Sequence, residues 1–148
     1  MIIWIALSVL ITAADQLIIY IVINNILPTD TIEVIPKILQ LVNVKNTGAA
    51  FSLLSGRTNL LSIVSIAVCV VLLWYLIVKK PKNKLLLTSL GMILGGAAGN
   101  LIDRVFRSFV VDYIEVCFIQ FPVFNLADIA ITVGAVLLMI YVIFFDSK

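Results

Sequence analysis

Four stretches of this chain are long and apolar enough to cross a bilayer, and they leave little freedom in how it folds. They run over about 2–23, 60–78, 85–102 and 126–145, each close to the ~20 residues that span ~30 Å of hydrocarbon. In lipid a backbone must satisfy its own hydrogen bonds, so these stretches are expected to be helices. The reading is a mainly α membrane protein with four transmembrane helices, built as one domain over 1–148. The first stretch also has the look of a signal peptide, with Ala13-Ala14 after an apolar run. No basic residue precedes that run, however, and it resumes after Asp15-Gln16. A retained helix is therefore expected.

The lysines orient the helices. Lys79, Lys80, Lys82 and Lys84 supply four of the ten basic residues in one short connection, which the positive-inside rule places in the cytoplasm. Both termini then face the cytoplasm, and segments 24–59 and 103–125 face outside. Pro81 and Asn83 suit a tight turn there. With a rise of 1.5 Å per residue, Asp15 lies roughly 20 Å across from the inner face, and Asn100 roughly 22 Å. Asn125 and Asp128 open the last helix at the same outer level. Four of the six aspartates, Asp15, Asp103, Asp112 and Asp128, thus sit in or beside apolar stretches at similar depth. A carboxylate near lipid is costly and marks function by default.

Composition excludes several chemistries. There is no histidine, the commonest general base and metal ligand, and no metal or other cofactor is expected. Cys69 and Cys117 form no CxxC motif and are read as inert. A net charge of +2 without a basic patch gives no sign of nucleic-acid binding.

The remaining polar residues fall into groups. Gly91, Gly95 and Gly99 recur every four residues, a spacing that lets another helix approach closely. Asn100, Asp103, Arg104 and Arg107 form a polar stripe at i, i+3, i+4 and i+7; Asp103-Arg104 also suits a membrane boundary. Asp112 lies in an apolar, aromatic setting that reads as an interfacial segment. Asn125 is a candidate N-cap, with Asp128 in the first turn. Upstream, segments 31–35 and 39–44 carry β-branched residues around Pro36, which predicts a small extracytoplasmic β-structure on the membrane. Lys45 to Ser52 follow, including the turn Asn46-Thr47-Gly48.

Two carboxylates without histidine, metal cluster or nucleophilic serine or cysteine point to aspartic chemistry. Close carboxylates cannot both ionise cheaply, so one keeps a proton while the other activates water. Two other readings stay open on the residues alone. A small transporter or proton relay would spread polar groups through the membrane thickness, and a non-catalytic assembly protein would use the glycine stripe. Against the transporter reading, the second apolar stretch has almost no polar residues (Ser62, Ser65) and the inner half of the others is apolar; the assembly reading leaves Asp112 unexplained. The GxGD signature of presenilin-type proteases is absent.

These motifs resemble those of one family. Asp15-Gln16, Asn46-x-Gly48-Ala49-Ala50-Phe51, Gly95-Gly96-Ala97-x-Gly99-Asn100-x-x-Asp103-Arg104, Val111-Asp112-Tyr113-Ile114 and Phe124-Asn125-x-Ala127-Asp128 stand in the order found in the bacterial lipoprotein signal peptidases (signal peptidase II). The resemblance implies a membrane aspartic endopeptidase of the bacterial cytoplasmic membrane, with its active site near the outer face. Such enzymes cut diacylglyceryl-modified prolipoproteins before the lipidated cysteine. It implies Asp112 and Asp128 as the catalytic dyad, with Asn46, Gly48, Asn100, Arg104 and Asn125 binding substrate or globomycin-type inhibitors. Asp15 and Asp103 would be structural polar residues. Partners implied are prolipoproteins and membrane lipids, with the enzyme a monomer. Segments 24–59 and 103–125 would form a β-cradle and an interfacial helical segment. One departure stands out: the family usually has lysine four residues after the first-helix aspartate, where this chain has Ile19. On that basis Ile19→Lys is expected to be tolerated or stabilising.

Overall fold

The computed structural model describes residues 1–48 and 54–145. Ala49, Ala50, Phe51 and Ser52, part of the motif that follows Asn46, lie outside the described residues. The four apolar stretches are helices: α1 (Ile2–Asn25), α2 (Thr58–Lys79), α3 (Lys84–Arg107) and α4 (Leu126–Phe144). All four are long and apolar enough to cross a membrane. Three strands, β1 (Ile32–Ile35), β2 (Leu39–Asn46) and β3 (Val110–Val116), form an antiparallel sheet in that order.

Helix α3 is the centre of the bundle. It packs on α1, α2 and α4 and buries most of its length, while the other three leave most of their apolar side chains exposed. Exposed leucine and isoleucine on a helix surface suit lipid rather than water. Small residues put α3 at the centre. A Cβ on Gly95 would lie 2.8 Å from the Ser8 carbonyl oxygen of α1, and one on Gly96 would overlap the Ala127 carbonyl oxygen of α4. Across the same seam, a Cβ on Gly134 would meet the Ser89 carbonyl oxygen at 2.9 Å. Close helix approach of this kind substitutes van der Waals contact for the hydrophobic drive that lipid removes. The lysine-rich connection turns as expected: Lys80 takes φ +46 and the Asn83 side chain accepts from the Leu85 and Leu86 amides at the start of α3.

One expectation changes. The segment over 103–125 is not an interfacial helix: α3 runs on to Arg107, Ser108 ends it with φ +66, and Val110–Val116 is a strand. The reason is local and tertiary together. This run is rich in β-branched and aromatic residues, and β2 offers it an edge on which to pair. Register pairs Val44 with Asp112 and Lys45 with Val111. A bulge between Leu41 and Val44 shifts the ladder; such irregularities re-aim side chains near sites. Phe124 then bridges back to Ile114, which leads the chain into α4.

Ile19 is fully buried with Val22, Ile26, Val111 and Tyr113. Asp15, one turn earlier, needs no lysine at position 19, because its carboxylate accepts from the Ala127 amide at 3.2 Å and from Gln16 Nε2 at 3.4 Å. A lysine at 19 would run its stem through this apolar cluster and bring an ammonium to a carboxylate already served by two donors. The gain expected from the missing pair therefore shrinks to about zero. The check is Tm in detergent for Ile19→Lys, and a clear rise would mean that Asp15 is short of a partner after all.

Candidate active site

Two acids meet at the junction of the sheet and the bundle. Strand β3 carries Asp112 and the first turn of α4 carries Asp128, and both line a cavity of about 730 Å³. Its walls include Asn46, Asn100 and Arg104, together with apolar side chains from 121–124 and from Ile129, Ile131 and Val133 of α4.

Amides hold each acid in place. Asn46 Nδ2 donates to Asp112 Oδ2 at 2.8 Å, and Asn125 Nδ2 donates to Asp112 Oδ1 at 2.9 Å. Asn100 Nδ2 donates to Asp128 Oδ1 at 2.8 Å. Asn125 Nδ2 also reaches Asn100 Oδ1 at 3.1 Å, so a single buried amide ties the partners of both acids together. The start of α4 makes this possible. Asn125 caps it by accepting the Asp128 amide at 2.8 Å, and Asp128 reaches back to the Asn125 amide at 3.4 Å. This capping box was legible in the sequence; capping and cavity-facing roles coexist, because each side chain has a second donor or acceptor to spend.

Arg104 stands at the rim, with its guanidinium near the Gly48 carbonyl at 3.4 Å, the Asn100 carbonyl at 3.5 Å and Ser65 Oγ at 3.5 Å. Gly48 itself donates its amide to Asn46 Oδ1 at 2.8 Å. Asn46, Gly48, Asn100, Arg104 and Asn125 are therefore brought together around the two acids. Asp15 and Asp103 are not: both are fully buried on the far side of the polar layer, and neither lines the cavity. The stripe along α3 is thus two clusters, Asn100 and Arg104 facing the cavity, Asp103 and Arg107 facing Gln16 of α1. Sequence reasoning missed Tyr113. Its hydroxyl accepts the Leu126 amide at 3.0 Å; a tyrosine beside the strand aspartate was the only signal.

Burial pushes the Asp112 carboxyl up from 3.8 to about 7, with the Asn46 and Asn125 amides opposing, the Asp128 charge adding to the rise and Arg104 also opposing. Between 3.8 and about 7 the unfolded chain ionises at this position while the folded protein keeps its proton. Stability from this group is therefore full below that window, falls as pH rises through it, and is flat above. The variant Asp112→Asn cannot ionise. Its Tm minus that of the unmodified protein should rise between pH 4 and pH 8, and a constant difference would show that no proton is held at Asp112.

Among the described residues no group of three or more histidine, cysteine, aspartate or glutamate side chains is placed to hold a metal ion, and no buried side-chain nitrogen or oxygen lacks a hydrogen-bond partner.

The comparisons with known proteins agree over nearly the whole chain. The model of the signal peptidase (SPase) II family matches residues 7–144. The chain belongs to the signal peptidase II family. It is 41% identical over 145 residues to the lipoprotein signal peptidase of Lactobacillus johnsonii, covering 98% of this chain and 94% of that one. With the lipoprotein signal peptidase of Clostridioides difficile it shares 42% over 147 residues, covering 98% and 97%. A bacterial membrane enzyme solved by the in meso method at 2.3 Å resolution superposes with a TM-score of 0.90 at 32% identity, over 95% of this chain and 87% of that one. As a signal peptidase II, the protein is a peptidase, and its four apolar helices make it a multi-pass bacterial membrane protein.

Proposed function

We propose that this protein is an aspartic endopeptidase that removes signal peptides from diacylglyceryl-modified prolipoproteins, cutting before the lipidated cysteine with Asp112 and Asp128. The observation that carries the reading is the pairing of these two acids in one cavity, each held by asparagine amides and bounded by apolar side chains. The lining at 121–124 and on α4 suits an acyl chain and an apolar peptide, and the polar end suits an amide bond. The ionised acid takes a proton from water as the water oxygen bonds to the scissile carbonyl carbon. The protonated acid hydrogen-bonds the carbonyl oxygen as charge develops there. The C–N bond then breaks, and a proton passes to the leaving amine of the cysteine. Titration belongs to the pair.

Asn46, Asn100 and Asn125 orient the carboxyls, while Arg104 and Gly48 flank the entry to substrate or to a globomycin-type inhibitor. The lysine-rich connection between α2 and α3 faces the cytoplasm by charge, which puts both termini inside and the dyad near the outer surface, where a lipid-anchored cleavage point lies.

The test is processing of a synthetic prolipoprotein by purified protein in detergent, with and without the diacylglyceryl group. Release of the signal peptide from the lipid-modified form, with a mature product beginning at cysteine, is expected. Equal cleavage of both forms would remove the lipid from the specificity, and cleavage of neither would sink the proposal.

A further inference from the structure

The two aspartates outside the cavity have no part in the chemistry above, yet each touches the backbone that carries a member of the dyad. Asp103 Oδ2 of α3 accepts the Val111 amide at 2.9 Å, and Val111 immediately precedes Asp112. Asp15 Oδ1 of α1 accepts the Ala127 amide at 3.2 Å, and Ala127 immediately precedes Asp128. Both carboxylates are fully buried. Gln16 links them, its Nε2 lying 3.4 Å from Asp15 Oδ2 and 3.0 Å from Asp103 Oδ1. Arg107 closes the cluster, pairing with Asp103 at 2.6 Å and donating to Gln16 Oε1 at 3.1 Å. Room for Asp15 comes from Gly99, where a Cβ would stand 2.8 Å from its Oδ2.

We infer that Asp15 and Asp103, bridged by Gln16, are positioning residues that set the spacing of Asp112 and Asp128 by holding the backbone amide just before each. The inference rests on the dyad reading above. Both amides would otherwise lack a partner: Val111 sits in the edge strand of the sheet, and Ala127 is in the first helical turn, where amides have no carbonyl within the helix. Water or a neutral side chain would satisfy either amide. A buried carboxylate is an expensive choice, and its return is a strong, directional bond that fixes the strand and the helix to one cluster. Without that link β3 and the start of α4 would still be joined by the Ile114–Phe124 bridge, the Tyr113 hydroxyl on the Leu126 amide and the Asn125 side chain, but neither would be tied to α1 and α3 through the amide that precedes each acid. Chemistry that shares a proton between two carboxyls tolerates little drift, since a displacement of about 1 Å can cost on the order of 10²-fold in rate.

The test measures kcat, KM, the pH profile and Tm on the lipid-modified prolipoprotein. Asp15→Ala and Asp103→Ala are expected to lower kcat about tenfold or more with KM within about twofold. Asp15→Asn and Asp103→Asn, which keep one acceptor oxygen, should recover most of that loss. Gln16→Met retains bulk and removes the bridge; it should lower kcat and shift the pH profile, because the coupling of two carboxyls depends on their separation. Should the alanine variants fail to fold, Gln16→Met decides, and an unchanged kcat and pH profile there overturns the inference. So does a lowered Tm in the alanine variants with kcat per folded molecule intact, or a loss in the asparagine variants as deep as in alanine. Failure of the unmodified protein to process the substrate would overturn the dyad reading itself.

Discussion

Asp112→Asn and Asp128→Asn are each expected to lower kcat on a lipid-modified prolipoprotein by about 10²–10⁴-fold, the range that a positioned general acid or base contributes, if the proposed dyad carries the reaction. Asparagine matches the volume and removes the ionisable group. The two sites differ in what remains. At 112 the side chain receives donors on both oxygens, so asparagine turns one of those contacts into a clash of donors and costs local order as well as chemistry. At 128 one oxygen faces Asn100 Nδ2 and the other the Asn125 amide, and the capping contact is the part lost. The double variant should be little worse than the poorer single, because groups that act as a unit are not additive. The measurement is turnover of folded protein with Tm alongside, and near-normal turnover in either single variant removes the two-carboxylate mechanism.

Gly96→Ala should be the most damaging single substitution at a residue that bears no functional group. The added Cβ would overlap the Ala127 carbonyl oxygen and lie 2.8 Å from Ile131 Cγ1. A carbonyl oxygen in a helix backbone cannot turn aside as a side chain can, so α4 must move as a body. Overpacking of this kind costs about 1–3 kcal/mol and often more against backbone. The displacement falls beside Asp128, so activity per folded molecule should fall with stability. Gly91→Ala is the control. There the Cβ meets the Trp4 carbonyl oxygen of α1 at 3.0 Å, also backbone but short of overlap, so α1 need give only by a few tenths of an ångström, far from the dyad. Tm and kcat for both variants check this: equal kcat in the two would show that α4 placement does not govern the site.

How much of this was legible depends on the kind of signal. The helices were read from composition and length, because lipid leaves a backbone few choices. The capping role of Asn125 and Asp128 was legible because a helix start has a local pattern. Strands β1 and β2 were legible from β-branched runs, whereas β3 was not: its residues border an aromatic, apolar stretch, and only the free edge of β2 makes them a strand. The depth argument placed four aspartates at one level and implied one site. Depth has one coordinate, and two acids at the same depth can face opposite ways, as Asp103 and Asp128 do.

By itself, then, the sequence determined a four-helix membrane protein, the family to which it belongs and the identity of the polar residues, because these follow from hydropathy over ~20-residue windows and from motifs in fixed order. The resemblance implied which carboxyls form the site, but only the tertiary structure shows how they are divided between the cavity and the layer behind it, and which amide serves which oxygen. Those contacts join residues far apart in the chain, Asp15 to Ala127 and Asn46 to Asp112, and they come about through glycine-mediated approach of α3 to its neighbours and the pairing of β3 with β2. No local pattern encodes such a distance.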